Sequence, residues 1–374
     1  MSSLPQETID EIIDNLPRSS LRSSSLVAKR WRRRSQQGAF ASITFSSESK
    51  ASGWYEHTHN DPGGIASYVK LAKFCGIAKW ADSGLLGRVL RNFTSLKSLW
   101  VEKTALPDRI LECVSHEKPG KSVIGLRLGY PKCSLATLIS TITAFPNLQL
   151  LRIDYFKTRS TEAPPAHLVS SQKLLDHLWV DGCEDGVTQA LESLGFRASR
   201  CLTLGLQAKR VGTLLSLSSE TVVNLTLVGM CLLHEDRKDV SDSFTDHPDW
   251  LACRHSDLSP LRFPFLTSLN IYIFGPTPSF DLHRTLHFIF SAPALASVVL
   301  RCEWPVPKFK SFPKHPWGNL DGWLVGMARK SSCEGRLVLT LKRWHEDGVP
   351  QLLFSRFKRV GKITTIPPDS GTSC

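Results

Sequence analysis

The chain has 374 residues, 41% hydrophobic and 21% charged, a composition that excludes a wholly disordered protein. Its 46 Lys and Arg against 34 Asp and Glu give a formal charge of +12, which favours an acidic partner without naming one. Ten cysteines stand at 75, 113, 133, 183, 201, 231, 253, 302, 333 and 374 with no C-x-x-C pair, which excludes zinc-ribbon spacing and a thioredoxin-like motif. Such scattered thiols read as buried and reduced. No apolar run reaches the length of a signal-peptide core or a membrane span, so the expectation is a soluble protein of the cytoplasm, the nucleus or both, with no membrane partner.

The first predicted elements are three short helices. Ile9, Ile12, Ile13 and Leu16 fall at i, i+3, i+4 and i+7, one apolar helix face. Pro5 suits the first turn, Glu7 complements the positive helix end, and Pro17 stops the run. A second helix carries Leu21, and a third, from about Ser25, carries Leu26, Val27 and Trp31 between cations. Fewer than about 40 residues rarely bury enough surface to fold alone, so this stretch needs the rest of the chain, a partner, or both.

Beyond it, short segments recur with apolar residues at i, i+3 and i+5. They are "FASITF" from Phe40, "ASYVKL" from Ala66, "LKSLWV" from Leu96, "VIGLRL" from Val123, "LQLLRI" from Leu148 and "LDHLWV" from Leu175. The series continues with "SRCLTL" from Ser199, "VVNLTL" from Val222, "LTSLNI" from Leu266, "LASVVL" from Leu295 and "EGRLVL" from Glu334. The spacings are 26, 30, 27, 25, 27, 24, 23, 44, 29 and 39 residues. A period in the twenties with L-x-x-L-x-L strands is the pattern of a leucine-rich-repeat solenoid, each repeat burying its apolar face only against its neighbours. Helical stretches such as "LLGRVLRNF" and "LATLISTITAF" lie between the strands. The repeats are irregular. The turn position eight residues after the first Leu, which takes Asn or Cys in a regular repeat, fits only at Cys183, while Thr104, Pro131, Phe156 and Phe274 stand elsewhere.

Two segments depart from the pattern. His234–Asp257 carries seven acidic and three basic residues in an otherwise basic chain and reads as a solvated insertion. "CEWPVPKFKSFPKHPWGNLDGW" from Cys302 is rich in Pro and aromatics and reads as a cap or an interruption of the array. The predicted organisation is an α/β chain: residues 1–45 as a helical module, 46–366 as an irregular repeat solenoid with the insertion at 234–257, and 367–374 as a frayed tail.

"LPQETIDEIIDNLP" with "SSLVAKRWRRR" and "FASITF" resembles an F-box, in the form abundant in mushroom-forming fungi. The matching positions are Leu4, Pro5, Ile9, Ile12, Ile13 and Leu16, the Ser25–Trp31 block and the Phe40–Phe45 strand; Ser24 stands where the commonest form has Cys. The resemblance implies docking on the Skp adaptor of a cullin-RING ubiquitin ligase through Leu4, Pro5, Ile9, Ile12, Ile13, Leu16, Leu26, Val27 and Trp31. It also implies that the remaining domain selects an unknown protein substrate. The reading is then a non-catalytic substrate receptor of an SCF-type ligase, without cofactor. The alternative is a scaffold or basic binding protein that recognises an acidic partner.

Other motifs carry less. "AKRWRRR" is better read as a solvated helix face, with Trp31 inward, than as a nucleic-acid patch. "PGKS" at Pro119–Ser122 lacks the Gly that a phosphate loop needs, because Ser115 stands there. His283 and His287 have metal-sharing spacing, but Arg284 replaces the general-base Glu of an H-E-x-x-H site. "HTHND" at His57–Asp61 runs into Pro62-Gly63-Gly64 and reads as a loop. Neither a G-x-S-x-G elbow nor a paired-carboxylate constellation points to an enzyme.

Overall fold

The computed structural model describes residues 4–61, 64–76, 84–102, 122–158, 173–183, 185–205, 211–230, 261–274, 286, 289–302, 314–330, 337–342 and 354–366. The segments 234–257 and 367–374, and His283 and His287, lie outside the described residues, as do Pro119, Gly120 and Lys121. The chain divides into two compact units, Met1–Ala166 and His167–Cys374.

Unit 1 opens with helices α1 (Gln6–Asp14), α2 (Arg18–Ser24) and α3 (Lys29–Phe40). A mixed α/β region follows: β1 (Ser42–Phe45), α4 (Glu48–Thr58), a 3-10 turn (Ile65–Tyr68), β2 (Leu71–Cys75), α5 (Leu85–Arg91), β3 (Ser98–Glu102) and β4 (Gly125–Gly129). The unit's later elements are β5 (Lys132–Cys133), α6 (Leu135–Thr143), β6 (Leu150–Asp154) and β7 (Lys157–Thr158).

Strands β1, β2, β3, β4 and β6 pair side by side in that order, all parallel. Parallel neighbours need a crossover between them, and α4, α5 and α6 lie in those between β1 and β2, β2 and β3, and β4 and β6. The register stacks like on like. Ile43, Ala72, Leu99, Leu126 and Leu151 form one inward row, and Phe45, Phe74, Val101, Leu128 and Ile153 the next. All of these but Ile43 are buried. Each buried Leu, Ile, Val or Phe among them contributes about 1.5–3 kcal/mol by leaving water. The first strands are pinned to the helical module by rings: Phe45 stacks on Phe74 at 4.9 Å, and Trp54 of α4 packs against Phe40, Phe45 and Phe93.

Unit 2 contains β8 (Leu174–Asp181), α7 (Asp185–Ser193), β9 (Arg197–Gly205), α8 (Val211–Ser218), β10 (Asn224–Met230), β11 (Leu261–Arg262) and β12 (Ser268–Phe274). It continues with β13 (Ile289–Ser291), β14 (Ser297–Cys302), α9 (Lys314–Lys330), β15 (Val338–Lys342), a 3-10 turn (Phe357–Arg359) and β16 (Lys362–Ile366). Its parallel order is β8, β9, β10, β12, β14, β15, β16. Leu178, Leu202, Leu225, Leu269, Val298, Leu339 and Ile363 stand in one row. Asp321 of α9 is buried, and its carboxylate accepts from the backbone N–H of Arg356 and of Phe357, which ties the last 3-10 turn to the helix.

Nine of the eleven sequence segments fall on strands in the expected register, and two shift. "ASYVKL" leads through the 3-10 turn into β2, and the ladder aligns Ala72 and Phe74 with Leu99 and Val101. The small Ala72 at a core position hid that frame from a search for large apolar residues. At "EGRLVL" the ladder places Leu339 and Leu341 inward, two residues later. A twelfth strand, β16, was missed because Thr365 occupies its second inward position. Part of the Pro-rich stretch from Cys302 is helix α9. Of "HTHND", His57 lies in the last turn of α4 and His59 caps it, so the helix extends further than the loop reading allowed.

Replacing Leu99 by Ala at the centre of the inward row should cost about 2–5 kcal/mol, read as a lowered urea midpoint with an unchanged m-value.

Candidate functional site

The helical module is built around Ile9 and Ile13 of α1 and Leu21 of α2, all buried, with Leu16, Trp31 and Ala39 packed on them. Polar links fix the helices. The Ser24 hydroxyl lies 2.9 Å from the Ser35 hydroxyl and bonds the Leu21 carbonyl, joining α2 to α3 in the interior. Arg34 donates to both carboxylate oxygens of Asp14, its Nε at 2.7 Å, joining α3 to α1. Arg30 Nη1 donates to the Leu4 carbonyl at 3.3 Å, and Arg18 donates to the carbonyls of Ala39 and Ser42.

The nine residues expected at an adaptor surface separate into two sets. Ile9 and Ile13 are interior, and Leu16 and Trp31 pack on that interior. Leu4, Pro5, Ile12, Leu26 and Val27 are exposed. The sequence placed Leu26 and Val27 on the third helix. They stand instead in the turn before it, where their N–H groups bond the Ser23 and Ser24 carbonyls and extended Ala28 starts α3. That turn holds both side chains away from the module, leaving Leu26 79% and Val27 67% exposed. The cations Lys29, Arg30, Arg32 and Arg33 are solvated, with Trp31 turned toward the core, as a helix face predicts.

A second set of residues lies outside the motifs that the sequence singles out. On the outward face of the unit 1 sheet, Thr44, Lys73, Trp100, Arg127 and Arg152 stand in register across five strands. Lys73 Nζ sits 3.8 Å from the Trp100 ring centre and the Arg127 guanidinium 5.2 Å from it, one cation from each flanking strand. Arg127 also faces two carboxylates, Glu102 at 3.0 Å and Asp154 at 3.3 Å, and Arg152 bonds Asp154 at 2.7 Å.

At the ends of these strands the chain turns sharply into β5 and β7 through Tyr130 (φ 56°) and Tyr155 (φ 55°). Left-handed backbone suits glycine, which serves at Gly76 and Gly182 after β2 and β8. Tyrosine there costs on the order of 1–3 kcal/mol. The two rings stack at 4.9 Å with 8° between their planes, and Tyr130 is 51% exposed. The sequence does carry a signal: Arg127-x-x-Tyr130-x-Lys132 recurs as Arg152-x-x-Tyr155-x-Lys157 in the next strand.

Among the described residues, no group of three His, Cys, Asp or Glu could hold a metal ion. Cys75, Cys133, Cys183 and Cys201 carry thiols rather than disulfides, and Cys133 and Cys183 are buried. No helix among the described residues is long and apolar enough to cross a membrane.

The family model of the F-box domain matches residues 1–37, the stretch that holds α1, α2 and most of α3. No curated protein matches it.

Two outcomes are expected. Ser24→Ala leaves the fully buried Ser35 hydroxyl without that partner and should cost about 1–3 kcal/mol in urea unfolding. The Arg34 hydrogen bond lowers the Asp14 pKa below its ordinary 3.8. The folded pKa is depressed, so the pair's contribution is present above the unfolded value and is lost as pH falls through the folded one. An NMR titration should show the depressed midpoint, returning toward 3.8 in Arg34→Gln.

Proposed function

We propose that this chain is a non-catalytic substrate receptor of an SCF-type ubiquitin ligase, holding the Skp adaptor through its F-box and a target protein through the region that follows. The observation that carries the reading is the Leu26–Val27 turn, with Leu4 and Ile12: large apolar side chains left in water by a module that has matched an F-box. Large apolar side chains left exposed on so small a module are the chemistry of a docking surface. Leu4, Pro5, Ile12, Leu26 and Val27 would meet the adaptor directly. Ile9, Ile13, Leu16 and Trp31 would act by holding the helices that present them.

The region after residue 45 is read as an irregular leucine-rich-repeat solenoid. Supporting this is the pairing of each long strand with the next in chain order within both units, over spacings mostly in the twenties. Its role would be to raise the target's effective concentration near the ubiquitin-loaded enzyme, which needs proximity rather than chemistry from this chain. A place in the cytoplasm or nucleus follows from that assembly.

Co-purification with purified Skp adaptor tests the reading. Wild type should capture it, and a Leu26→Asp, Val27→Asp double variant should lose roughly tenfold or more in affinity with its circular dichroism unchanged, since neither side chain is in the core. Ile9→Asp should instead unfold the module. Failure of wild type to capture the adaptor at low salt would remove the ligase reading and leave a basic scaffold.

A further inference from the structure

We propose that the outward row Lys73–Trp100–Arg127–Arg152, with the Tyr130–Tyr155 ledge at its end, is the target-binding surface and that its occupant is an extended, carboxylate-rich peptide segment. The proposal deepens the receptor reading above by naming the surface and the class of target.

The row differs from what an outward strand position ordinarily needs. In unit 2 the corresponding row is Trp179, Thr203, Thr226, Asn270, Val299, Thr340 and Thr364, without a charge. β-Branched and small polar residues of this kind suit a pleated, half-solvated face. Unit 1 places three cations and an indole in the same register. The acids beside them do not cancel the surface. The side chains of Glu102 and Asp154 are 17% and 7% exposed, against 26% and 33% for Arg127 and Arg152. The carboxylates lie beneath and orient the guanidiniums, so an approaching chain meets cations first. Lys73 faces the Trp100 ring, which leaves its charge uncancelled by that contact.

The tyrosines supply the second argument. Two successive repeats keep a strained tyrosine at a turn where two others use glycine, and stacking with one ring still half exposed offsets only part of that strain. Strain kept in register with Arg127 and Arg152 marks a surface held for a partner. Carboxylates on the row and an apolar side chain against the Tyr130 ring would fit both features.

The test uses the full chain and a short fluorescein-labelled peptide alternating Glu and Phe, beside Lys–Phe and phosphoserine–Phe counterparts, followed by anisotropy. Wild type should bind the Glu–Phe peptide, more weakly as salt rises, and reject the Lys–Phe peptide. Lys73→Gln and Tyr130→Gly should each weaken binding roughly fivefold to tenfold, with adaptor capture unchanged. Tyr130→Gly is the decisive variant, because glycine suits φ 56° and should raise the urea midpoint while binding falls. Equal binding of Glu–Phe and Lys–Phe peptides would overturn the proposal, as would wild-type affinity in both variants. Binding of the phosphoserine peptide alone would show that carboxylates are not the recognised group. Loss of adaptor capture by wild type with Glu–Phe binding retained would sink the ligase reading and leave this surface standing.

Discussion

Each short strand of unit 1 satisfies its backbone only through its neighbours, because parallel pairing leaves N–H and C=O groups on both edges of every strand. The register of that pairing decides the rest. Once Leu99 stands beside Ala72 and Leu126, its neighbour Trp100 must face outward beside Lys73 and Arg127. The buried rows and the exposed row are therefore one decision, made at each strand by the period of two. A slip of one residue would bury the cations and expose the leucines, and that cost keeps the outward chemistry in line.

The helical module answers a different constraint. It has too few residues for a core of ordinary size, and its interior reduces to Ile9, Ile13 and Leu21 with three partly buried neighbours. Stability has to come from polar links between helices and from the rings that tie Phe40 and Phe45 to Trp54 and Phe74. Such a module retains some apolar surface, and the Leu26–Val27 turn is where it does so.

Much of this was legible in the sequence. Apolar spacing found the three helices and nine of the strands in register, because large residues at i+3 and i+5 are what a buried row requires. Frames were lost where the row tolerates a small or polar residue, at Ala72 and Thr365, and where Leu337, Leu339 and Leu341 alternate without a marker to choose among frames. The adaptor-facing residues were half legible. Periodicity groups Ile9, Ile12, Ile13 and Leu16 on one helix face, but it cannot say that Ile12 sits at the solvated margin while Ile9 and Ile13 are covered. The repeated Arg-x-x-Tyr-x-Lys pairs Tyr130 with Tyr155, but it does not reveal their left-handed backbone, which is imposed by the turn into the second short ladder rather than by tyrosine itself.

Strands β10 and β12 pair over seven consecutive residues, Asn224 to Ser268 through Met230 to Phe274, although far more sequence separates them than separates most neighbours. Their alignment is set by the inward rows and not by the length of the connection. The entropic cost of closing a connection grows slowly with its length, by about 0.6 kcal/mol for each doubling. That junction is therefore a place where the chain can gain or lose residues without disturbing the ladder. New sequence can be tried there while the rows on either side stay in step.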